Sequence, residues 1–267
     1  MRPPFLALCC LAFLASGCNK SSSSPTTVQE QEKKIDKSGA ILKSLGIKDV
    51  KVGTGETAEV GDILNVRYKG SLLNKVVFDE NMSEGKPPFG FRLGVSAVIQ
   101  GWQKGLVGMK VGGERQLAIP SDMGYADMGS GDKIPPYSDL YFDIKLIGIV
   151  KPNKSDTVAR EILQTGSGKK VGATDLVDIN FTGSYMDGQV FDKTTPGKPT
   201  TFPMDSPRVP LGLARAMLGQ PVGTKLRVTL PPAVGFQSGT DNGAIPDNMI
   251  TVFNLEIVAT RPKPDSK

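Results

Sequence analysis

The sequence predicts an α+β protein in which two tandem copies of one domain each fold as an antiparallel sheet with a single helix over its apolar face. Three observations predict it. Landmarks recur at a nearly fixed offset, the apolar residues of each copy alternate with period two over several short runs, and each copy breaks that alternation once for a stretch of helical spacing. Gly53-Thr54-Gly55 returns as Gly166-Ser167-Gly168, Tyr68-Lys69-Gly70 as Phe181-Thr182-Gly183 and Phe78-Asp79 as Phe191-Asp192, each 113 residues later. Past the helical stretch the offset is 111, which matches Ile119-Pro120 with Leu230-Pro231, Tyr125 with Phe236, Ile134-Pro135 with Ile245-Pro246 and Phe142 with Phe253. One small deletion in a duplicated sequence accounts for the change.

The chain opens on a leader. Residues 1–17 carry one arginine and then an apolar run, the form of an export signal too short to span a bilayer permanently. Its end, Leu14-Ala15-Ser16-Gly17-Cys18, resembles the lipobox of bacterial lipoproteins, which implies a lipid on Cys18; the plainer alternative is an ordinary cysteine beside a cleavage site. Residues 18–40 are rich in Ser, Gln, Glu and Lys and lack core formers, so they read as a tether after the lipidated cysteine. The residue after Cys18 is Asn19, not Asp, which by resemblance to bacterial sorting rules favours the outer membrane facing the periplasm. In an organism with one membrane the expected site is the outside of the cell membrane. The first domain is expected over 41–150, a polar linker over 151–156 and the second domain over 157–262.

Within the first copy, Ile63 to Gly70 alternates, with Ile63, Asn65, Arg67 and Lys69 on one side and Leu64, Val66 and Tyr68 on the other. A turn near Asn74, a strand ending at Phe78-Asp79, a bend at Gly85 to Pro88 and a strand from Phe89 to Gly94 follow. Val98, Trp102 and Leu106 then fall at i, i+4 and i+8 on one helix face, beside Gly101 and Gly105. A glycine inside a helix costs roughly 1 kcal/mol against alanine, so two of them signal that another backbone or side chain comes close. Trp102, the only tryptophan, is either core packing or the floor of a pocket. Two strands, ERQLAIP and DLYFDIKLIGI, close the copy. In the second copy Asp187-Gly188 is a strong hairpin signal.

Composition narrows the chemistry. The chain has no histidine, and Cys9 and Cys10 leave with the leader, so Ser-His and Cys-His nucleophiles and Cys/His metal sites are excluded. No cofactor or metal is expected. The formal charge of +5 includes no long basic block, which gives nucleic-acid binding no support.

Taken together, YKG, VVFDEN, PPFGFRLG, VIQGW, GLVGMKVGG, IPSDMGY and IPPYSDLYFDIKL resemble, in order and spacing, the FKBP-type peptidyl-prolyl isomerases. The resemblance covers roughly Val50 to Val150. It implies a curved antiparallel sheet wrapped around a short helix, an apolar pocket and rotation about X-Pro bonds. The family's pocket residues map onto Tyr68, Phe78, Asp79, Phe89, Val98, Ile99, Trp102, Tyr125, Ile134 and Phe142. By resemblance, Trp102 floors the pocket, the Ile99 N–H holds a substrate carbonyl, Tyr125 donates a hydroxyl and Asp79, bonded to Tyr68, faces the twisting carbonyl. Ala126 departs from the family's glycine, and Gly129, Ser130 and Gly131 alter the loop after it. In the second copy Phe181, Pro210, Leu213 and Phe236 replace the pocket tyrosine, isoleucine, tryptophan and second tyrosine. That domain is therefore expected to be weak or inactive.

The expected function is isomerisation of X-Pro bonds in exported or envelope proteins, assisting their folding. Expected partners are proline-containing exported polypeptides, macrolide-type inhibitors of the family and a membrane reached through the lipid on Cys18. The alternative is a non-catalytic lipoprotein that uses its domains for protein binding or structure. For the second copy that means a client-holding surface, a spacer or a dimer contact. A small-molecule solute-binding protein fits less well, because the chain lacks βα alternation.

Overall fold

Twelve strands and two α-helices make up the described residues of this computed structural model, 42–264; Cys18, the leader and the tether lie outside them. The first domain comprises β1 (Gly46–Lys51), β2 (Ile63–Leu72), β3 (Val77–Glu80), β4 (Phe89–Arg92), α1 (Gln100–Gly105), β5 (Glu114–Ile119) and β6 (Leu140–Val150). Its sheet runs β1-β5-β6-β2-β3, with β4 also on β2, and every pairing is antiparallel. The second domain repeats the plan with β7 (Ala159–Gln164), β8 (Leu176–Tyr185), β9 (Val190–Lys193), β10 (Thr200–Pro203), α2 (Leu211–Met217), β11 (Lys225–Leu230) and β12 (Thr251–Arg261). There β7-β11-β12-β8 are neighbours, and β9 and β10 both pair with β8.

The glycines of α1 do what their spacing predicts. A Cβ at Gly101 would fall 2.4 Å from an Ile119 methyl, and one at Gly105 would fall 2.8 Å from Leu117, so the helix backbone lies almost on β5. Trp102 and Leu106 are thereby buried with Leu64, Phe91, Leu117, Ile144 and Leu146 in one core. The helix is only six residues long, and Val98 stands before its start instead of in its first turn. In the second domain Val209, Leu213 and Met217 are all buried, and Pro210 is the N-cap with φ −53°, a value proline holds without strain. The Asp187-Gly188 hairpin forms with Gly188 at φ 89°.

Three differences from the sequence reading have physical causes. Strands β1 and β7 were not anticipated, because as sheet edges nearly every residue in them is exposed and their sequences carry no alternation. Strand β2 buries both faces from Ile63 to Arg67, including the side that carries the polar Asn65 and Arg67. The second domain covers them. Ile63 and Val150 form a small apolar cluster with Ile250, and the Asn65 side chain donates to Asn248 O (2.9 Å) and accepts from Ile250 N–H (2.8 Å). Finally, the linker is pinned at both lysines. Lys151 Nζ reaches Thr57 O (2.8 Å) and the buried Asp62 (2.8 Å), and Lys154 Nζ reaches Glu56 (3.0 Å).

Arg115 closes the C-terminal end of α1. Its guanidinium donates to Gly105 O (2.8 Å) and Val107 O (3.0 Å) and pairs through two nitrogens with Asp49 at 2.7 and 3.1 Å. The Arg115 hydrogen bonds hold the Asp49 carboxyl below its ordinary value. Position 115 corresponds to Leu226 in the second copy, where Arg160 of β7 instead donates to Ala216 O (3.1 Å) near the end of α2.

Arg115→Ala should therefore lower unfolding free energy by about 2–4 kcal/mol, since it strands two carbonyls and a carboxylate. Arg115→Lys should recover less than half, lacking the fork. The part owed to Asp49 is present above the carboxyl's ordinary pKa of 3.8 and is lost as pH falls through its lower folded value. Urea titrations of parent and variant at neutral pH and near pH 3 check both the size of the loss and its shrinkage in acid.

Candidate functional site

Where β2, β3 and β6 meet, the chain narrows to glycine. A Cβ at Gly70 would fall 2.5 Å from the Phe78 ring and 2.7 Å from the Phe142 ring, so both rings lie directly over the backbone there. Gly70 pairs with Asp79 on one side and with Phe142 on the other, which sets all three in one row across the sheet. Two residues earlier, and so on the same face, Tyr68 points its ring to the side of α1. Its centroid lies 5.2 Å from Trp102 in an edge-on arrangement, and Phe142 meets Trp102 at 5.3 Å in the same manner. Phe91 and Phe89 close the other flank of the indole at 5.6 and 6.2 Å. Such edge contacts add roughly 0.5–1.5 kcal/mol per pair to area burial, and they fix ring orientation.

Above the indole is a cavity of about 220 Å³ lined by Tyr68, Phe78, Asp79, Phe89, Ala97, Val98, Ile99, Trp102, Tyr125 and Phe142. It is small beside the roughly 300–1,000 Å³ of drug-sized sites and suits one or two side chains. Trp102 is buried as its floor, while Phe89 and Tyr125 are each 38% exposed at its mouth. The buried indole Nε1 has no acceptor among the described residues. Nine of the ten residues singled out in the sequence line this cavity. Ile134, the tenth, is buried in the core that continues from it and is not part of the lining.

Polar groups at the cavity are few and directed. Tyr68 Oη donates to Asp79 Oδ2, and Asp79 Oδ1 accepts from Glu80 N–H (2.9 Å). Burial, and then the bond to Asp79, push the Tyr68 hydroxyl well above its ordinary value, so it stays a donor at any physiological pH. Ile99 is the N-cap of α1 with φ −57°, and its N–H donates to no acceptor among the described residues. Glu80, just outside, is lowered to about 2 by Lys86 and then by Ser83. A site so built can desolvate an apolar ligand and offer it a backbone donor. It contains no nucleophile paired with a base.

Two contributors escaped the sequence reading. Ala97, exposed in the irregular segment before α1, also lines the cavity, and no periodicity covers an irregular segment. Lys133 donates from Nζ to Phe78 O (3.0 Å) and ties the loop after Tyr125 to β3. That loop is a small bridge of Ser130 to Ile134 (2.8 and 3.2 Å), with Gly129 at φ 63° and Gly131 at φ 51°. In the second domain Phe181 gives Asp192 no hydroxyl; Asp192 keeps only the bond from Lys193 N–H (2.8 Å). Leu213 is 2% exposed, and Phe236 stacks on Phe253 at 6.2 Å.

The family model for FKBP-type peptidyl-prolyl cis-trans isomerase matches residues 54–147 and again 167–258. Human peptidyl-prolyl cis-trans isomerase FKBP10 is 30% identical over 202 residues, which are 74% of this chain and 34% of that protein. FK506-binding protein 2 of Dictyostelium discoideum is 51% identical over 89 residues, 33% of this chain and 66% of that one. A crystal structure of a peptidyl-prolyl cis-trans isomerase from Pseudomonas syringae pv. tomato has 29% identity, covers 49% of this chain and 100% of its own, and superposes with a TM-score of 0.37. The chain spans about a third of the length of the human relative.

Ala126 yields a prediction about the loop at the cavity mouth. It sits at φ 48°, donates to Ser121 O (2.8 Å) and accepts from Tyr137 N–H (2.7 Å), so its left-handed conformation is imposed from both sides. An L-residue there costs roughly 1–2 kcal/mol, of which a glycine returns about 0.4–1 through the freer unfolded chain. Ala126→Gly should therefore stabilise the chain by up to about 1 kcal/mol. A lower midpoint in chemical denaturation would contradict the assignment of strain.

Proposed function

The chain belongs to the FKBP-type peptidyl-prolyl cis-trans isomerase family, and from that premise we propose that its first domain turns X-Pro bonds of exported polypeptides while its second contributes little of that activity. The observation that carries the reading is the apolar cavity over Trp102, with one backbone donor at Ile99 and one carboxylate, Asp79, held in place by Tyr68. Rotation about an X-Pro bond breaks amide resonance, and the resulting barrier, about 18–20 kcal/mol for a peptide bond, makes the uncatalysed step slow. In the twisted state the C–N dipole is smaller, so leaving water costs that state less than it costs the planar amide. An apolar cavity therefore favours the transition state over the ground state. The proline ring would rest on Trp102. The Ile99 N–H would hold a carbonyl of the substrate, and Asp79 would face the carbonyl that turns. A macrolide of the FK506 type would occupy the same cavity and compete.

We also propose that Cys18 carries a lipid and that the tether holds the two domains away from a membrane outside the cytoplasm, the outer membrane where there are two. The apolar leader ending in LASGC and the polar stretch after it support this. Each buried methylene of an acyl chain adds roughly 0.8 kcal/mol, so two or more chains anchor firmly.

Two substitutions in the full chain test the isomerase. Asp79→Val should lower kcat/KM about tenfold on a proline-containing peptide, corresponding to about 1.4 kcal/mol of transition-state binding. Ile99→Pro suits the observed φ of −57° and removes an N–H that the fold does not use, but it also trims a side chain that lines the cavity and packs on the core, so the unfolding midpoint should fall slightly. Its kcat/KM should fall by roughly twofold to tenfold, the worth of one hydrogen bond. A parent chain that leaves the slow phase of proline-limited refolding unchanged would end the isomerase reading. The double variant reports the second domain, and residual activity above about a third of the parent would make this a tandem enzyme.

For the anchor, Cys18→Ser should move the protein from the membrane fraction to the soluble one. Equal fractionation of variant and parent would refute the lipid.

A further inference from the structure

The second domain touches the first behind its pocket wall. Arg67 of β2 is buried between them, and its guanidinium is divided. Nε donates to Asp187 (2.7 Å) and Nη2 to Gln189 (2.6 Å), both on the β8–β9 hairpin of the second domain, while Nη1 donates to Asn81 O (2.8 Å) and Lys86 O in the first. Those carbonyls belong to the segment that leaves the pocket at Asp79 and re-enters it at Phe89. Asn81 is itself locked to β2, since its Oδ1 accepts from Tyr68 N–H (2.7 Å). At the far end of the segment a Cβ on Gly90 would fall 2.6 Å from Asp247 O and 2.7 Å from Asn248 O, so the second domain's backbone lies directly against β4.

We propose that the second domain is a positioning module for the first pocket: Asp187 and Gln189 orient Arg67, which holds Asn81 and Lys86 and so sets where Asp79 and Phe89 stand. The inference rests on the isomerase reading of that pocket. Joining two domains does not need a buried charge, because an apolar contact of similar size is as stabilising or more so, and the Ile63, Val150 and Ile250 cluster already supplies one. What the divided guanidinium adds is a connection from the hairpin to the loop. Without Asp187 and Gln189 the guanidinium would be left half-paired in a buried place, and it would turn toward water and release the loop carbonyls. Arg67, Asp187 and Gln189 are positioning residues; none of them lines the cavity.

The test uses the full chain carrying Asp187→Ala with Gln189→Ala, and two readouts that a smaller folded fraction does not move. One is the ratio of kcat/KM for peptides with Phe-Pro and Ala-Pro. Partial unfolding lowers both alike, whereas a displaced Phe89 and Asp79 change the ratio. The other is acrylamide quenching of Trp102, the only tryptophan in the chain and the floor of the cavity. The expected result is a ratio changed threefold or more and a quenching constant raised at least 1.5-fold relative to the parent, whereas Asp187→Glu with Gln189 kept, which preserves the charge, stays close to the parent in both. If the double variant does not fold, Asp187→Asn, which keeps the side-chain size and removes the charge, is judged by the same readouts. Ratio and quenching both within a fifth of the parent would overturn the proposal. If the parent itself lacks isomerase activity, the functional reading fails, and the quenching of Trp102 still decides whether the hairpin positions the pocket.

Discussion

The close approach of a six-residue helix to one strand is the constraint on which the rest of the first domain depends. Because Gly101 and Gly105 carry no Cβ, α1 settles onto Ile119 and Leu117 of β5, and Trp102 is delivered into the ring of Tyr68, Phe89, Phe91 and Phe142. A methyl at either glycine would push the helix out and raise the floor of the cavity. The second domain keeps the rule with other residues. A Cβ at Gly212 would fall 2.5 Å from Leu230, as one at Gly101 would crowd Ile119, whereas Ala216 stands at the position of Gly105 and Val228 at that of Leu117. One methyl gained on the helix is matched by a shorter side chain on the strand, and both residues are buried in the second core. Packing to this density tolerates exchanges that conserve volume, and this explains how the fold survives divergence of the pocket.

Divergence has followed the same logic around polar groups. A helix end needs its carbonyls satisfied, and the first domain does this with Arg115 from β5, the second with Arg160 from the neighbouring β7. The need is conserved between the copies although the donor's position is not. Pocket chemistry, by contrast, has no such replacement in the second domain. Phe181 cannot bond Asp192, Pro210 has no N–H to offer, and Leu213 gives up the indole. Phe181, Leu213 and Phe236 are apolar and pack in or against the second core, so these replacements leave no new buried polar group to satisfy.

Much of this was legible in the sequence, and what was not shares a cause. The repeat, the central strands, the helix face and nine cavity-lining residues follow from periodicity and resemblance, because they depend on neighbours within one domain. Strands β1 and β7 were silent because an exposed edge has no inner face to pattern. The burial of Asn65 and Arg67 was silent for a different reason. Polar residues alternating with Leu64 and Val66 describe an outer sheet face correctly, and nothing local says that a surface 120 residues or more further along will cover that face. Lys133 likewise reads as a solvated loop lysine until β3 is placed beside it. Periodicity reports which side of an element a residue takes, never what arrives on that side.

The loop between β11 and β12 differs from its counterpart in the first domain in what it is bonded to. Its counterpart in the first domain, after Tyr125, is tied to β3 by Lys133 and to the core by the buried Ile134. In the second domain Tyr185 donates to Ala244 O and packs with Ile245 and Met249, so the loop is drawn down onto β8. Just beyond, Asn248 occupies the position of Tyr137; both take positive φ, 57° and 59°, and bond back to the segment after their own 3-10 turn. The backbone turn is thus retained, but in the second domain Asn65 grips it through Asn248 O and Ile250 N–H, with Asp247 O pressed on Gly90. The loop is bonded on one side to β8 of its own domain and on the other to β2 of the first domain. One set of bonds therefore ties the β11–β12 loop of the second domain to the first and places a backbone directly behind the first domain's pocket wall.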